Sequence, residues 1–302
     1  MDWIISWLDS WAENSSLRNI IKIILRKLSG KCELQRICES APATPAQMKK
    51  IENSLYHSKY PEIRRIIVSD DMKVKSAFEI IVRTKRITLD DHPNLIKTMP
   101  IFLAKILSYN KLTTKVDEIR SEPFNEENEV HEELLLQLWE ALKPNEKLDN
   151  RYSKQWGEIG FQGKNPATDF RGMGVLSLKN LIYFIESKTD EAKRLFSLSQ
   201  HPRFGYPFAV AGINLTGVAF DLLRSGELKA YFYAAAATKF TLEDFQRLFV
   251  QMFCAFSDFY ISSEPENVME FNQQLNNYKK IISQRLCKGD TNLLADGTFL
   301  QV

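Results

Sequence analysis

Apolar side chains return at every third or fourth position along most of this chain, the spacing that lines one face of an α-helix. Met48, Ile51 and Leu55 share such a face behind Thr44-Pro45, a capping threonine with proline at the first helical position. Ser69-Asp70-Asp71 reads as the cap of a helix carrying Val74, Ala77, Phe78, Ile81 and Val82. Another helix is expected to begin after Pro100, with Ile101, Phe102, Ile106 and Leu107. His131, Leu134, Leu135, Leu138, Trp139 and Leu142 predict a strongly amphipathic helix over residues 129–142, stopped by Pro144. Leu178, Leu181, Ile182 and Ile185 mark the next one, and the nearly all-apolar run 207–224 predicts a buried helix. Thr241-Leu242-Glu243-Asp244 is a capping-box variant that opens a helix with Phe245, Leu248, Phe249, Met252, Phe253 and Phe256. Val268, Phe271, Leu275, Tyr278 and Ile282 then follow at intervals of 3, 4, 3 and 4. Alternation of strand type is missing at useful length and no fixed repeat is present, so the fold class is all-α.

The N-terminus carries a second pattern. Trp3, Trp7 and Trp11 recur every four residues, with Ile4 and Leu8 widening the stripe. Leu17, Ile20, Ile21, Ile24 and Leu28 continue at helical spacing, among the positive charges of Arg18, Lys22, Arg26, Lys27 and Lys31. Lys22 interrupts the apolar run and no small-residue cleavage site follows, which argues against a secretory signal. Two readings stay open. A basic amphipathic helix with indoles suits a membrane interface, with Trp3, Trp7, Trp11, Arg18, Lys22 and Arg26 as contact candidates. Alternatively the helix packs its stripe onto the main domain. The organisation expected is an amphipathic extension over 1–40, a helical part over 41–125 that packs on the domain, a domain core over 126–287, and a flexible tail over 288–302. The polar segment 120–128 is the best loop between the two halves.

Composition narrows the function classes. The 302 residues are 44% hydrophobic and 26% charged, ordinary for a globular protein, and the net charge of +2 is spread along the chain, which gives nucleic-acid binding no support. Cys32, Cys38, Cys254 and Cys287 form no disulfide framework, so a reduced, cytoplasmic setting is expected. No stretch of eighteen apolar residues occurs to span a bilayer. Phosphate-binding P-loop, dinucleotide, nucleophile-elbow and zinc-helix motifs are all missing. His131-Glu132-Glu133 supplies only half of a zinc pattern, and no metal or cofactor is expected.

The densest chemistry lies between Trp156 and Gly174, which hold five of the chain's twelve glycines. Arg171 stands there between Phe170 and Gly172, so a guanidinium is presented from a structured loop. That group is planar, permanently charged and weakly hydrated, and suits the stabilisation of charge on a transferring phosphoryl group. Asp169 is a candidate orienting partner, Gln162 could bring an amide to the same site, and Gly172 and Gly174 allow a tight turn. Trp156 and Phe161 would anchor the loop in the core. The competing reading of the residues is that Arg171 pairs with a carboxylate and merely locks the loop down.

The run Trp156-x-x-x-Gly160-Phe161-Gln162-Gly163-x-x-Pro166-x-Thr168-Asp169-Phe170-Arg171-Gly172-x-Gly174 resembles the signature of the ELMO (engulfment and cell motility) domain. The stretch Leu176-x-Leu178-x-Asn180-Leu181-x-Tyr183-Phe184 and the later Met269-Glu270-Phe271-Asn272 resemble the same family. Residues 30–38, Gly-Lys-Cys-Glu-Leu-Gln-Arg-Ile-Cys, are similar to the short animal ELMO domain-containing proteins. The resemblance implies a single multi-helix ELMO domain that acts as a GTPase-activating protein for Arf and Arf-like small GTPases in their GTP-bound form. It implies that Arg171 is the residue needed for hydrolysis, and that GTP and magnesium belong to the partner. A non-catalytic GTPase effector or scaffold, or a lipid-surface tether on intracellular membranes or lipid droplets, are the alternatives. Lys164-Asn165 departs from a pair that is often acidic in relatives, a charge change that could shift partner preference.

Overall fold

The computed structural model describes residues 18–39 and 44–288. Trp3, Trp7, Trp11 and the tail beyond Lys288 lie outside the described residues, and so does the side chain of Arg18. Every regular element among the described residues is helical. The described residues fall into two compact units that divide between Lys111 and Leu112, with residues 235–239 belonging to the first.

The first unit holds α1 (Arg18–Ser29), α2 (Glu33–Glu39), α3 (Pro45–Tyr56), α4 (Pro61–Val68), α5 (Val74–Lys85) and the first part of α6 (Pro93–Ser121). Thr44 caps α3 as expected, its hydroxyl accepting from the Gln47 amide at 3.2 Å, with Pro45 opening the helix. Two expectations need correction. Ser69-Asp70-Asp71 does not cap α5: the Ser69 hydroxyl accepts from the Met72 amide in a preceding turn, and Lys73 precedes the helix with no side-chain cap. Pro100 does not start a helix either, because α6 runs straight through it. A proline in a helix interior costs about 3 kcal/mol. Leu95, Met99, Phe102, Leu103 and Ile106 are all fully buried around it, and that tertiary burial offsets the lost hydrogen bond.

In α1 only Ile21 and Leu25 of the apolar stripe are buried; Ile20, Ile23, Ile24 and Leu28 are exposed. Lys22 pairs with Glu33 at 2.6 Å, whereas the Arg26 side chain is exposed.

The second unit is organised around α8 (Gly174–Ser187), which packs on α7 (Glu129–Leu142), α9 (Thr189–Ser199), α10 (Phe208–Ser225) and α12 (Leu242–Ser262). Its run Val175, Leu176, Leu178, Leu181, Phe184 is fully buried, as a central helix requires. Thr241 and Asp244 form the expected capping box of α12, the Asp244 carboxylate accepting from the Thr241 amide at 2.8 Å. The short α11 (Lys229–Ala234) precedes α12, and α13 (Phe271–Lys288) packs on α12.

Two glycines fix the backbone path of the 156–174 segment. Gly160 has φ +90°, and a Cβ there would lie 2.3 Å from the Phe208 amide nitrogen. Gly174 has φ +51°, and a Cβ would lie 2.2 Å from the Glu122 carbonyl oxygen, the same oxygen that accepts from the Val175 amide at 3.0 Å. Only a residue without a side chain fits either place. Gly172, by contrast, has φ −84° with open space around it. Gly174→Ala should therefore lower unfolding stability by more than ~1 kcal/mol, and Gly172→Ala by much less, as read by urea titration of both variants.

Candidate functional site

Two short 3₁₀ helices, Lys154–Ile159 and Pro166–Arg171, carry the glycine-rich segment. A row of rings anchors it. Trp156 is fully buried, edge-on to Trp139 at 5.6 Å and to Phe161 at 5.9 Å, and its indole N–H donates to the Arg151 carbonyl at 2.9 Å. Phe161 meets Phe170 at 5.6 Å, and Phe170 stacks on Phe124 at 5.2 Å. Phe124 in turn lies 5.5 Å from the ring of His131. Such ring pairs contribute about 0.5–1.5 kcal/mol each beyond burial, so the segment is fixed by its apolar side.

His131 is structural. Its Nδ1 accepts the Asn125 amide at 3.0 Å, which leaves Nε2 to donate to the Glu122 carboxylate at 3.1 Å. Both ring nitrogens are engaged in holding the turn beneath Phe124.

The second 3₁₀ helix is fixed by polar contacts at its start. Asn165 accepts the Ala167 amide at 3.0 Å, and Pro166 takes the first helical position. The Asn165 side-chain amide donates to Glu126 at 2.8 Å, and Glu126 also accepts from the Tyr152 hydroxyl at 2.5 Å. Arg151 donates to Asn165 at 3.4 Å and to Glu132 at 2.5 Å, with its guanidinium 5.9 Å from the Phe124 ring. Asn165 is thus a capping residue matched to Glu126; an acid in its place would set two carboxylates against each other.

Asp169 closes the loop, accepting the Gln162 amide N–H at 2.7 Å. Burial pushes the Asp169 carboxyl above the usual carboxylate range, partly opposed by that N–H and by the charge of Arg171. Gln162 takes part through its backbone, and its side chain is exposed.

Arg171 ends the helix exposed to solvent. Among the described residues its guanidinium makes no ion pair and no hydrogen bond, and Asp169 is the charge that acts on it. The locking role that a residue-level reading would allow Arg171 belongs to Arg151 instead. The structure thus brings Gln162, Asp169, Phe170, Arg171 and Gly174 together in one loop, with Phe170 as anchor and Arg171 as the outward group. Arg151, Glu126 and Phe124 escaped the sequence reading, because nothing local ties them to the loop. Asn165 was open to detection, since Asn-Pro ahead of a helix is a start signal.

Comparison with known proteins bears on this loop. The ELMO/CED-12 family model matches residues 114–275. ELMO domain-containing protein 1 of Pongo abelii is 39% identical over 290 residues, covering 90% of this chain and 89% of that protein. ELMO domain-containing protein 2 of Homo sapiens is 40% identical over 252 residues, covering 83% and 86%. ELMO domain-containing protein B of Dictyostelium discoideum is 34% identical over 284 residues, covering 89% and 94%.

The loop geometry separates anchor from presented group. Phe170→Ala should destabilise the fold by about 3–5 kcal/mol, whereas Arg171→Ala should stay within about 0.5 kcal/mol of wild type. Chemical denaturation of the two variants side by side checks both.

Proposed function

This chain belongs to the ELMO/CED-12 family, and from that premise we propose that it is a GTPase-activating protein for Arf or Arf-like small GTPases, supplying Arg171 in trans. The observation that carries the proposal is a guanidinium that stands exposed and makes no ion pair among the described residues, on a loop anchored by Phe170, Asp169 and Asn165. Charge develops on the oxygens of the transferring γ-phosphoryl group, and a planar fork of donors placed there lowers the barrier. An arginine supplied this way is worth on the order of 10³ to 10⁵ in rate. The loop's rigidity limits the entropy lost when the partner docks. GTP and magnesium are the partner's, and the chain itself contributes position and charge.

A second reading, compatible with the first, has the protein visit a lipid surface from the cytoplasm. It rests on α1, where Ile20, Ile23, Ile24 and Leu28 stand exposed beside Arg26 and Lys27. An apolar stripe flanked by positive charge fits the boundary of an anionic bilayer. None of the described helices is long and apolar enough to cross a membrane.

Single-turnover GTP hydrolysis on a panel of Arf and Arf-like proteins tests the first reading. Wild type should accelerate at least one member, while Arg171→Lys, which keeps the charge and loses the fork, should lose most of the effect. Retained binding without acceleration on any member would leave an effector or scaffold. For the second reading, wild type should float with vesicles containing phosphatidylserine and the double variant Ile23→Glu/Leu28→Glu should float less. Equal flotation of the two ends it.

A further inference from the structure

Beside the arginine turn lies a groove of about 490 Å³. Gln162, Thr168 and Asp169 of the arginine loop line it, together with Val210 and Ile213 of α10 and with Val268 and Met269. Met269 is 85% exposed and Val268 49%, high values for large apolar side chains.

The turn that bears them is rigid. Asn267 accepts from the Met269 amide at 2.9 Å, the Glu270 carboxylate accepts from the Glu266 amide at 3.0 Å, and buried Phe271 roots the turn against Phe256 at 5.5 Å. A methionine held outward by a locked turn loses little backbone entropy when it is covered, and its thioether adapts to an irregular partner surface.

The groove shares a face with Arg171. Side chains three apart eclipse each other on a 3₁₀ helix, so Arg171 stands in line with Thr168, a groove-lining residue. A macromolecule that receives Arg171 thus has the Thr168 edge of this groove beside it.

We infer that the groove between the arginine turn and Met269 receives an apolar side chain from the switch segment of a GTP-bound small GTPase, so that Met269 sets affinity and nucleotide-state preference while Arg171 sets the hydrolysis rate. This rests on the reading of the protein as a GTPase activator. Switch segments are ordered by the γ-phosphate and released after hydrolysis, so an apolar anchor that reads one favours the triphosphate form and lets the product go. An exposed, well-rooted apolar residue beside the functional group has the character of a binding hot spot.

The test measures binding of the full chain to Arf and Arf-like proteins loaded with GTPγS or with GDP, for wild type, Met269→Asp, Met269→Leu and Arg171→Lys. Met269 is exposed, so both of its variants should fold. Met269→Asp should weaken binding to the GTPγS form by at least about tenfold and leave the hydrolysis rate of the saturated complex unchanged. Met269→Leu should bind as wild type. Arg171→Lys should do the reverse of Met269→Asp, lowering the saturated rate more than the affinity. Unchanged binding by Met269→Asp overturns the inference. So does equal weakening toward both nucleotide forms, or wild-type binding to no member of the panel. Binding that depends on Met269 without any acceleration of hydrolysis would retain the groove and remove the activator assignment, so the two can fail separately.

Discussion

The carbonyl oxygen of Glu122 accepts the Val175 amide and sits 2.2 Å from where a Gly174 side chain would begin. That close approach fixes the first turn of α8 against the end of α6. Since α8 is the helix on which α7, α9, α10 and α12 pack, the contact sets the origin of the unit's core. The arginine turn ends three residues before Gly174, so it inherits its position from the same place. The Glu122 side chain receives the His131 ring, which shapes the turn under Phe124, and Phe124 in turn stacks on Phe170. Backbone and side chain of one residue thus reach both ends of the loop's anchorage.

Two arginines divide the work of this loop. Arg151 is half-buried, paired with Glu132 and turned toward Asn165 and the Phe124 ring. Removing it would orphan a carboxylate and loosen the cap. Arg171 has none of these duties. An exposed guanidinium that makes no ion pair among the described residues adds almost nothing to stability. Met269, 85% exposed and lining the groove beside Asp169, is a second side chain that the core does not use.

Much of the fold was legible from helical spacing and caps, because Thr44, Thr241 and the buried runs of α8 and α10 act through neighbours three or four residues away. That reading failed at two places, for different reasons. Pro100 sits inside α6 because burial of Met99, Phe102 and Leu103 outweighs a local penalty, and Ser69 satisfies Met72 rather than α5. That Arg171 stands in a structured loop was legible, but its lack of an ion pair among the described residues was not, because that depends on where distant carboxylates fall. Glu132 and Glu126 fall to Arg151, Tyr152 and Asn165, and no local pattern announces that.

The 3₁₀ geometry of residues 166–171 makes chain length itself a carrier of information. At three residues per turn, each position advances by about 120°. Phe170 faces inward and Arg171 outward because they are neighbours on a helix with only three faces. Loss or gain of one residue between Pro166 and Phe170 would turn the whole row by one face, offering the ring to water and the guanidinium to the core. Substitutions on the outer face are absorbed by solvent, while a single indel there is not. The segment should therefore tolerate a change of residue type better than a change of length.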